Sequence, residues 1–195
     1  MAVKTFTTGE VLTAADTNTY LANSGLVYIS DTAFSASSAV NVSNVFSSTY
    51  ENYRIMISWL QNTSPANLTM KLRDSGGDIS TNYGSNMSGQ YYNSGVSTFA
   101  GYNNTANETQ TSIFIGQSAA TYYGYTLFDI FSPNLAVATV GQGQFYASNA
   151  SATLTRVTTF ASFRHTAATA CTGFSLIPSA GTITGNVRLY GYRQA

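Results

Sequence analysis

The sequence predicts an all-β protein, an antiparallel, jelly-roll-like β-sandwich with a short N-terminal anchoring segment that contains a small helix. Apolar and polar residues alternate along several stretches, β-branched and aromatic residues are concentrated in those stretches, and clusters of turn residues separate them. The chain of 195 residues accordingly divides into an anchoring or assembly segment, residues 1–25, and a sandwich domain, residues 26–195.

The N-terminal segment contains the signature of a short helix. Thr13 and Asp16 form a capping-box pattern, so we expect a helix that begins near Ala14 and ends at Gly25. A helix of roughly ten residues is marginally stable alone and needs a surface to dock on. That surface is the sandwich itself, a sister subunit or a different protein. The apolar residues available for docking are Phe6, Val11, Leu12, Tyr20 and Leu21.

Period-two alternation after Leu26 predicts strands with one buried face and one solvent face. The clearest apolar faces are Tyr53, Ile55, Ile57 and Trp59, then Leu68, Met70 and Leu72, with Thr69, Lys71 and Arg73 opposite the second set. Further stretches rich in β-branched or aromatic residues bring the total to roughly eight or nine strands. These stretches are Ala39–Val45, Ser112–Gly116, Tyr122–Phe131, Ala136–Tyr146, Ala152–Phe163, Thr172–Ile177 and Ile183–Tyr192.

Turn chemistry separates the predicted strands. It is found at Asn62–Pro65, Asp74–Asp78, Ser132–Asn134 and Pro178–Gly181, and Gly141–Gly143 is expected to be a further turn or bulge. Strands separated by turns, with almost no helix, indicate an antiparallel sandwich or barrel. With about eight strands, a jelly roll is the preferred topology and an immunoglobulin-like sandwich is the second.

The stretch Asp78–Asn107 is rich in Gly, Ser, Asn and Tyr. Such a composition suits long exposed loops or edge strands that present aromatic rings to a partner, as binding loops do. The other interpretation is a polar connection over a sheet edge, with the rings packed inward and only the hydroxyls wet. The candidate surface-binding residues are Tyr83, Tyr91, Tyr92 and Tyr102.

No residue set predicts catalysis, so we expect a non-enzymatic protein without a cofactor or metal. No Gly-x-Ser-x-Gly nucleophile motif accompanies the only histidine, and one histidine and one cysteine are too few for a zinc site. His165, at the end of a predicted strand, is expected at the surface or an interface, and Cys171 is expected to be a small buried residue. Asp74 and Asp78 flank a Gly-rich turn, which a plain hairpin explains better than a cation site does.

Low charge argues against two classes of partner. Charged residues make up 8% of the chain, and eight basic residues balance eight acidic ones, so no general field attracts nucleic acid or an anionic membrane. No apolar stretch is long enough to span a bilayer, and residues 1–8 lack the apolar core of a secretion signal. We therefore expect no nucleic-acid binding, no membrane insertion, and synthesis in the cytoplasm of the cell that makes the protein.

The N-terminal segment resembles a segment of tailed-bacteriophage virion proteins. Residues 5–21 match the pattern TFxxGEVLTAxDxNxYL, which in those proteins precedes a variable β domain. Phe46–Ile55 and Gly185–Arg193 are similar to segments of the same proteins. The resemblance implies a structural protein of the virion, of the tail-fibre or capsid-surface type.

The resemblance leaves three functional hypotheses open. The first is a tail-associated fibre or adhesin, which docks by residues 1–25 and displays the sandwich to a host-surface glycan or another virion protein. The second is a capsid decoration (cement) or head-fibre protein that stabilises the shell. The third is a hydrolase of surface polysaccharide, for which no motif is present. An edge-rich sandwich with a nearly neutral surface also favours a homotrimer.

Overall fold

The structure, a computed structural model, describes residues 7–16, 25–93, 96–104, 110–118, 120–147 and 156–193. Of residues 91–93, 96–104, 147 and 156–158 it describes the backbone alone. Among the described residues, no helix combines the length and the apolar character needed to cross a bilayer.

The helix α1 spans Ala14–Asp16, and its predicted capping box is formed. The backbone N–H of Thr13 donates to Asp16 Oδ2 at 3.1 Å, and the backbone N–H of Asp16 donates to Thr13 Oγ1 at 3.1 Å. These bonds satisfy donors that the first turn of a helix leaves unpaired. The predicted start of the helix is therefore confirmed. Its predicted end at Gly25 stays a prediction, because residues 17–24 lie outside the described residues.

Thirteen strands make up most of the described fold, against the roughly eight or nine expected from sequence. In chain order they are β1 (Leu26–Ser37), β2 (Val40–Val42), β3 (Asn52–Gln61), β4 (Ala66–Asp74), β5 (Gly77–Asp78), β6 (Tyr83–Asn93), β7 (Val96–Asn104), β8 (Ile113–Ser118), β9 (Tyr123–Phe131), β10 (Thr139–Ala147), β11 (Arg156–His165), β12 (Gly173–Pro178) and β13 (Ile183–Tyr192). The strands absent from the sequence expectation are β1 and the group β5–β7.

The strands form two antiparallel sheets whose inner faces share one apolar core. The larger sheet has the order β1-β13-β3-β9-β10-β11-β6-β7. In the smaller sheet the order is β2-β12-β4, and β5 and β8 both pair with the remaining edge of β4. Eight strands, β1-β13-β3-β9 and β2-β12-β4-β8, reproduce the two Greek keys of a jelly roll. The predicted jelly-roll-like sandwich is confirmed.

Two insertions enlarge this jelly roll. The strands β5, β6 and β7 lie between β4 and β8 in the sequence, and β10 and β11 lie between β9 and β12. Four of these strands continue the larger sheet beyond β9, and β7 forms its outer edge. The Tyr-rich stretch Asp78–Asn107 therefore contains an edge hairpin, β6–β7, which agrees with the edge-strand alternative rather than with long loops.

The core between the sheets confirms the predicted alternation. Every member of the two predicted apolar faces is at most 2% exposed. The Trp59 ring lies against Gly124 on the neighbouring strand β9 and against Gly116 on β8 of the smaller sheet. A Cβ atom on Gly116 would lie 3.1 Å from Trp59 Cζ2, and one on Gly124 would lie 2.6 Å from Trp59 Nε1. Because interiors are packed as densely as crystals, the ring fits only where these side chains are absent.

The predicted turn or bulge at Gly141–Gly143 is wrong, because these residues lie inside β10 in a continuous ladder with β11. Gly141 faces inward, where a Cβ atom would overlap the ring of Phe163. A glycine within a strand commonly marks the close approach of another group. Here it admits an aromatic ring and does not bend the chain.

The pairing of β1 with β13 brings residues 25 and 193 together. Leu26 is paired with Tyr192, and the backbone N–H of Arg193 donates to the carbonyl of Gly25 at 3.1 Å. The two flanks of the sandwich therefore meet at one corner of the larger sheet.

Candidate functional site

The outer face of the larger sheet, which points away from the smaller sheet, carries a polar row across five strands. Arg54 on β3 is paired with Asp129 on β9, Asp129 with Gln142 on β10, Gln142 with Ser162 on β11, and Ser162 with Asn86 on β6. Most of their neighbours along each strand are buried and none is exposed, so strand alternation turns these side chains to the solvent.

A second row on the outer face is more apolar. It passes from Met56 to Leu127, Gln144 and Phe160, which are paired in register across β3, β9, β10 and β11. Phe160 is 58% exposed and Met56 is 43% exposed. Two large apolar side chains are therefore offered to solvent beside the polar row.

Two tyrosine rings extend this apolar surface. Tyr125 and Tyr146 are directly opposite each other in the β9–β10 ladder and are 52% and 38% exposed. Cross-strand neighbours have Cβ atoms about 4.5–5.5 Å apart, close enough for the rings to form one surface. Sequence reasoning missed this surface, although the alternation of Tyr123 and Tyr125 with small residues in β9 was a usable signal.

Two depressions follow these rows and together form what we call the trough. One has a volume of about 540 Å³ and the other of about 500 Å³, and Leu127 and Gln144 line both. The first is also lined by Arg54, Asn86, Asp129, Gln142, Phe160 and Ser162. The second is also lined by Met56, Ser58, Tyr125, Tyr146, Asn186 and Arg188.

The charged groups of the trough are paired within the protein. Arg54 donates to Asp129 through two bonds of 2.8 Å, from Nε to Oδ1 and from Nη2 to Oδ2, and the Tyr192 hydroxyl donates to Oδ1 at 2.6 Å. Arg188 Nε donates to Asp31 Oδ2 at 3.1 Å. Bidentate guanidinium–carboxylate pairs have a fixed geometry, so the first depression has a rigid floor without net charge.

Burial and hydrogen bonding shift three pKa values in this network. Burial raises the pKa of Asp129, but the bonds from Arg54 and Tyr192 outweigh it and hold that pKa below its ordinary value. The bond to Asp129 raises the pKa of Arg54. Burial, and then the bond to Asp129, raise the pKa of Tyr192 to about 12. At neutral pH Asp129 is therefore ionised, and Arg54 and Tyr192 keep their protons.

Three side-chain amides of the trough remain available to a ligand. Among the described residues, none forms a hydrogen bond with the amides of Gln142, Gln144 or Asn86, all of which are exposed. Each amide offers an acceptor oxygen and two N–H donors. The trough therefore joins free polar groups to exposed rings.

Comparison with known proteins does not assign this face a role. No known protein family matches the chain. No curated protein matches it either.

Tyr83 is not a surface-binding residue, and that prediction is wrong. The side chain is 0% exposed, its hydroxyl accepts a bond from the backbone N–H of Leu72 at 2.8 Å, and it donates to the carbonyl of Ile79 at 3.0 Å. Burial raises the pKa of Tyr83. Tyr83 thus ties β6 to β4 inside the core: its ring packs inward, as the alternative for this stretch anticipated, but its hydroxyl is bonded to the backbone instead of being wet.

The other three candidate tyrosines lie in strands rather than in loops. Tyr91 and Tyr92 belong to β6, and Tyr102 belongs to β7. Their side chains lie outside the described residues, so their binding role stays a prediction.

Two of the predicted anchoring residues are described, and both are open to solvent. Val11 is 78% exposed and Leu12 is 48% exposed, so neither is buried against the sandwich. Phe6, Tyr20 and Leu21 lie outside the described residues.

Asp74 and Asp78 lie at the β4–β5 hairpin, as the simpler interpretation predicted. Asp78 accepts bonds from Arg73 at 2.5 Å and from Ser175 at 2.6 Å, and Asp74 accepts a bond from the backbone N–H of Gly76 at 2.7 Å. The Oδ1 atom of each carboxylate is thus engaged by protein groups. Within the described ranges, no cluster of three or more His, Cys, Asp or Glu side chains is arranged to hold a metal.

His165 and Cys171 are both 0% exposed. The expectation of a surface or interface histidine is therefore wrong: the imidazole packs on the Tyr83 ring at 4.7 Å between centroids, and burial lowers its pKa. The expectation of a buried cysteine is confirmed, and burial, the largest cause, raises the pKa of Cys171 to about 11.

We expect the stability of the protein to fall below about pH 6.5, the ordinary pKa of histidine. The unfolded chain takes up a proton on His165 there, while the buried imidazole, with its lowered pKa, resists it. The unfolded state then binds more protons, so the free energy of unfolding drops as pH falls, by up to about 1.4 kcal/mol per pH unit. Urea unfolding between pH 7.5 and pH 5 measures this slope.

The variant His165→Phe is the control for this pH dependence, because it keeps a ring beside Tyr83 and cannot titrate. The slope between about pH 5 and 6.5 should disappear in the variant, since carboxyl groups titrate mainly at lower pH. An equal slope in both proteins would show that His165 is not responsible.

Proposed function

We propose that this protein is a non-enzymatic structural protein of a bacteriophage virion, a tail-associated fibre or adhesin. Residues 1–25 dock it on the particle, and the jelly roll is displayed for contacts with the host surface or other virion proteins. The observation that carries the proposal is the exposure of Val11 and Leu12 beside a formed capping box. A short helix that leaves apolar side chains in water gains stability by burying them against a partner.

Two further features support the proposal. The segment that contains Val11 and Leu12 is the one that resembles the start of tailed-phage virion proteins. Jelly rolls are a common architecture of viral shell proteins and lectins, although fold analogy alone does not assign function. We also propose a homotrimer, because the larger sheet ends in an edge strand, β7, that is available for contacts between copies.

A capsid decoration or head-fibre protein is the second candidate, with the same docking segment acting as a clamp on the shell. A polysaccharide hydrolase has less support. Glycosidases use two carboxyl groups, one of which has a raised pKa to act as an acid. Of the residues that line the trough, Asp129 alone carries a carboxylate, and its pKa is lowered by its bonds to Arg54 and Tyr192.

Deletion of residues 1–24 tests the docking role. We expect the truncated protein to keep its β-type circular dichroism and to be missing from purified particles, measured by quantitative mass spectrometry against the main shell protein. A sharper variant replaces both Val11 and Leu12 with Asp. Thr8→Asp is the matched control, because it adds charge to an exposed residue of the same segment. Normal incorporation of the double variant would contradict the proposal.

The position of the protein on the particle separates the two candidates. Immunogold labelling of intact particles should place the protein on the tail if it is a fibre or adhesin. Labelling of the head would favour the decoration protein.

A further inference from the structure

The trough combines the two kinds of side chain that a neutral, polyhydroxylated ligand requires. Phe160, Tyr125 and Tyr146 present ring surface to solvent, and the electron-rich face of an aromatic ring attracts the C–H groups on one side of a sugar ring. Gln142 and Gln144 both donate and accept hydrogen bonds, as sugar hydroxyls do. Gln144 is paired with Phe160 on the neighbouring strand and lies two residues from Tyr146 on its own strand, so one ligand reaches both kinds of group.

The electrostatics of the trough select against charged ligands. Arg54 is occupied by Asp129, and Arg188 by Asp31. An anion that recruited Arg54 would leave the Asp129 carboxylate without its main partner in a partly buried site, which is strongly unfavourable. A cation that recruited Asp129 would displace Arg54 in the same way. A neutral ligand uses the trough without breaking either pair.

The free amides also argue against a protein partner with an apolar face. Such a partner would bury Gln142, Gln144 and Asn86 away from water without replacing their hydrogen bonds, and unmade buried bonds are costly. Hydroxyl groups, which rotate to donate or accept, satisfy all three amides.

The size of the trough fits more than one sugar unit. Each depression, at about 540 and 500 Å³, lies within the range of small-molecule sites. Gln144 lines both depressions and is paired in register with Phe160. We propose that the trough binds a neutral oligosaccharide, with one unit against Phe160, another against the Tyr125–Tyr146 surface, and Gln144 bonded near the linkage.

This inference specifies what the displayed sandwich contacts and so rests on the proposed function, but its test needs only the purified full chain. An array of neutral hexose and N-acetylhexosamine oligosaccharides is compared with one of sialylated and uronate-containing oligosaccharides. We expect binding to members of the neutral array, followed by isothermal titration calorimetry with the best of them. Absence of binding to the neutral array, or preference for the acidic one, would overturn the proposal.

Three variants locate the site. Phe160→Ala and Gln144→Ala should each weaken oligosaccharide binding by roughly tenfold or more. Tyr28→Ala is the matched control: Tyr28 is as exposed as Phe160, at 58%, and lies on β1 of the same sheet, outside the lining of both depressions. Equal affinities of Phe160→Ala and the wild-type protein would overturn the assignment.

Sedimentation of the same variants tests the other occupant, a second copy of the chain. If Phe160→Ala dissociates an oligomer of the wild-type protein, the trough is a self-interface and the proposal is wrong. Incorporation of the wild-type protein into particles separates this inference from the proposed function. If the wild-type protein is incorporated but binds no oligosaccharide, the ligand assigned to the trough is wrong and the structural role stands. If it binds an oligosaccharide but is not incorporated, the structural role is wrong and the ligand assignment stands.

Discussion

We expect Gly124→Ala to lower the free energy of unfolding by about 1–3 kcal/mol, the usual cost of overpacking a core. The added Cβ would lie 2.6 Å from Trp59 Nε1. The ring is 1% exposed and also lies against Gly116 on β8 of the smaller sheet, so it has no free space into which it could move. Either the indole leaves its position or β9 separates from β3, and either displacement breaks contacts at the centre of the sandwich.

Thermal and urea unfolding of Gly124→Ala measure this loss. A domain of this size should show a decrease in Tm of roughly 2–4 °C per kcal/mol. Gly76→Ala is the matched control, because a Cβ at that turn would meet only Asp74 Oδ1, at 3.2 Å, on a side chain that is able to rotate. Unchanged stability of Gly124→Ala would mean that the packing around Trp59 is looser than described.

Tyr83→Phe should cost about 1–3 kcal/mol, although it removes a single oxygen atom. The ring keeps its contacts, but the Leu72 N–H loses its acceptor at 2.8 Å and the Ile79 carbonyl loses its donor at 3.0 Å. Because Tyr83 is 0% exposed, water does not readily replace the hydroxyl. The cost arises from polar groups left unpaired in the interior.

Tyr28→Phe provides the comparison for this change, since Tyr28 lies in the same sheet and is 58% exposed. We expect it to unfold within about 0.5 kcal/mol of the wild-type protein. If urea unfolding gave the same stability for both variants, Tyr83 would have to be assigned to the surface after all.

The fold was predictable where alternation is strong. The strand β13 has the predicted bounds, Ile183–Tyr192, and the apolar sets in β3 and β4 are buried as expected. These strands have one face in the core and one in solvent, so apolar and polar residues alternate along their sequences. The capping box at Thr13 is equally local, since both partners lie within one helical turn.

The missed features depend on partners that are distant in sequence. From the sequence alone, Tyr83 resembles an exposed ring in a polar stretch. Its burial follows from the pairing of β6 with β11 and from the bond between the Tyr83 hydroxyl and β4. Gly141 looks like a turn residue until Phe163 is found across the ladder. The full trough was not foreseen because its two ends, Arg54 and Met56 on β3 and Asn86 on β6, come from strands that are distant in the chain from β9, β10 and β11.

The pairing of Gly25 with Arg193 also determines how the protein would respond to tension. Leu26 and Tyr192 form the near end of the β1–β13 ladder, and Ser37 and Ile183 form its far end. A force applied at residue 25 therefore breaks the β1–β13 residue pairs one after another, from Leu26–Tyr192 onward, and does not load all of them in shear at once. Since β1 is the edge strand, it would be the first to detach, and because it carries Asp31, its loss would also leave Arg188 of the trough without its ion-pair partner.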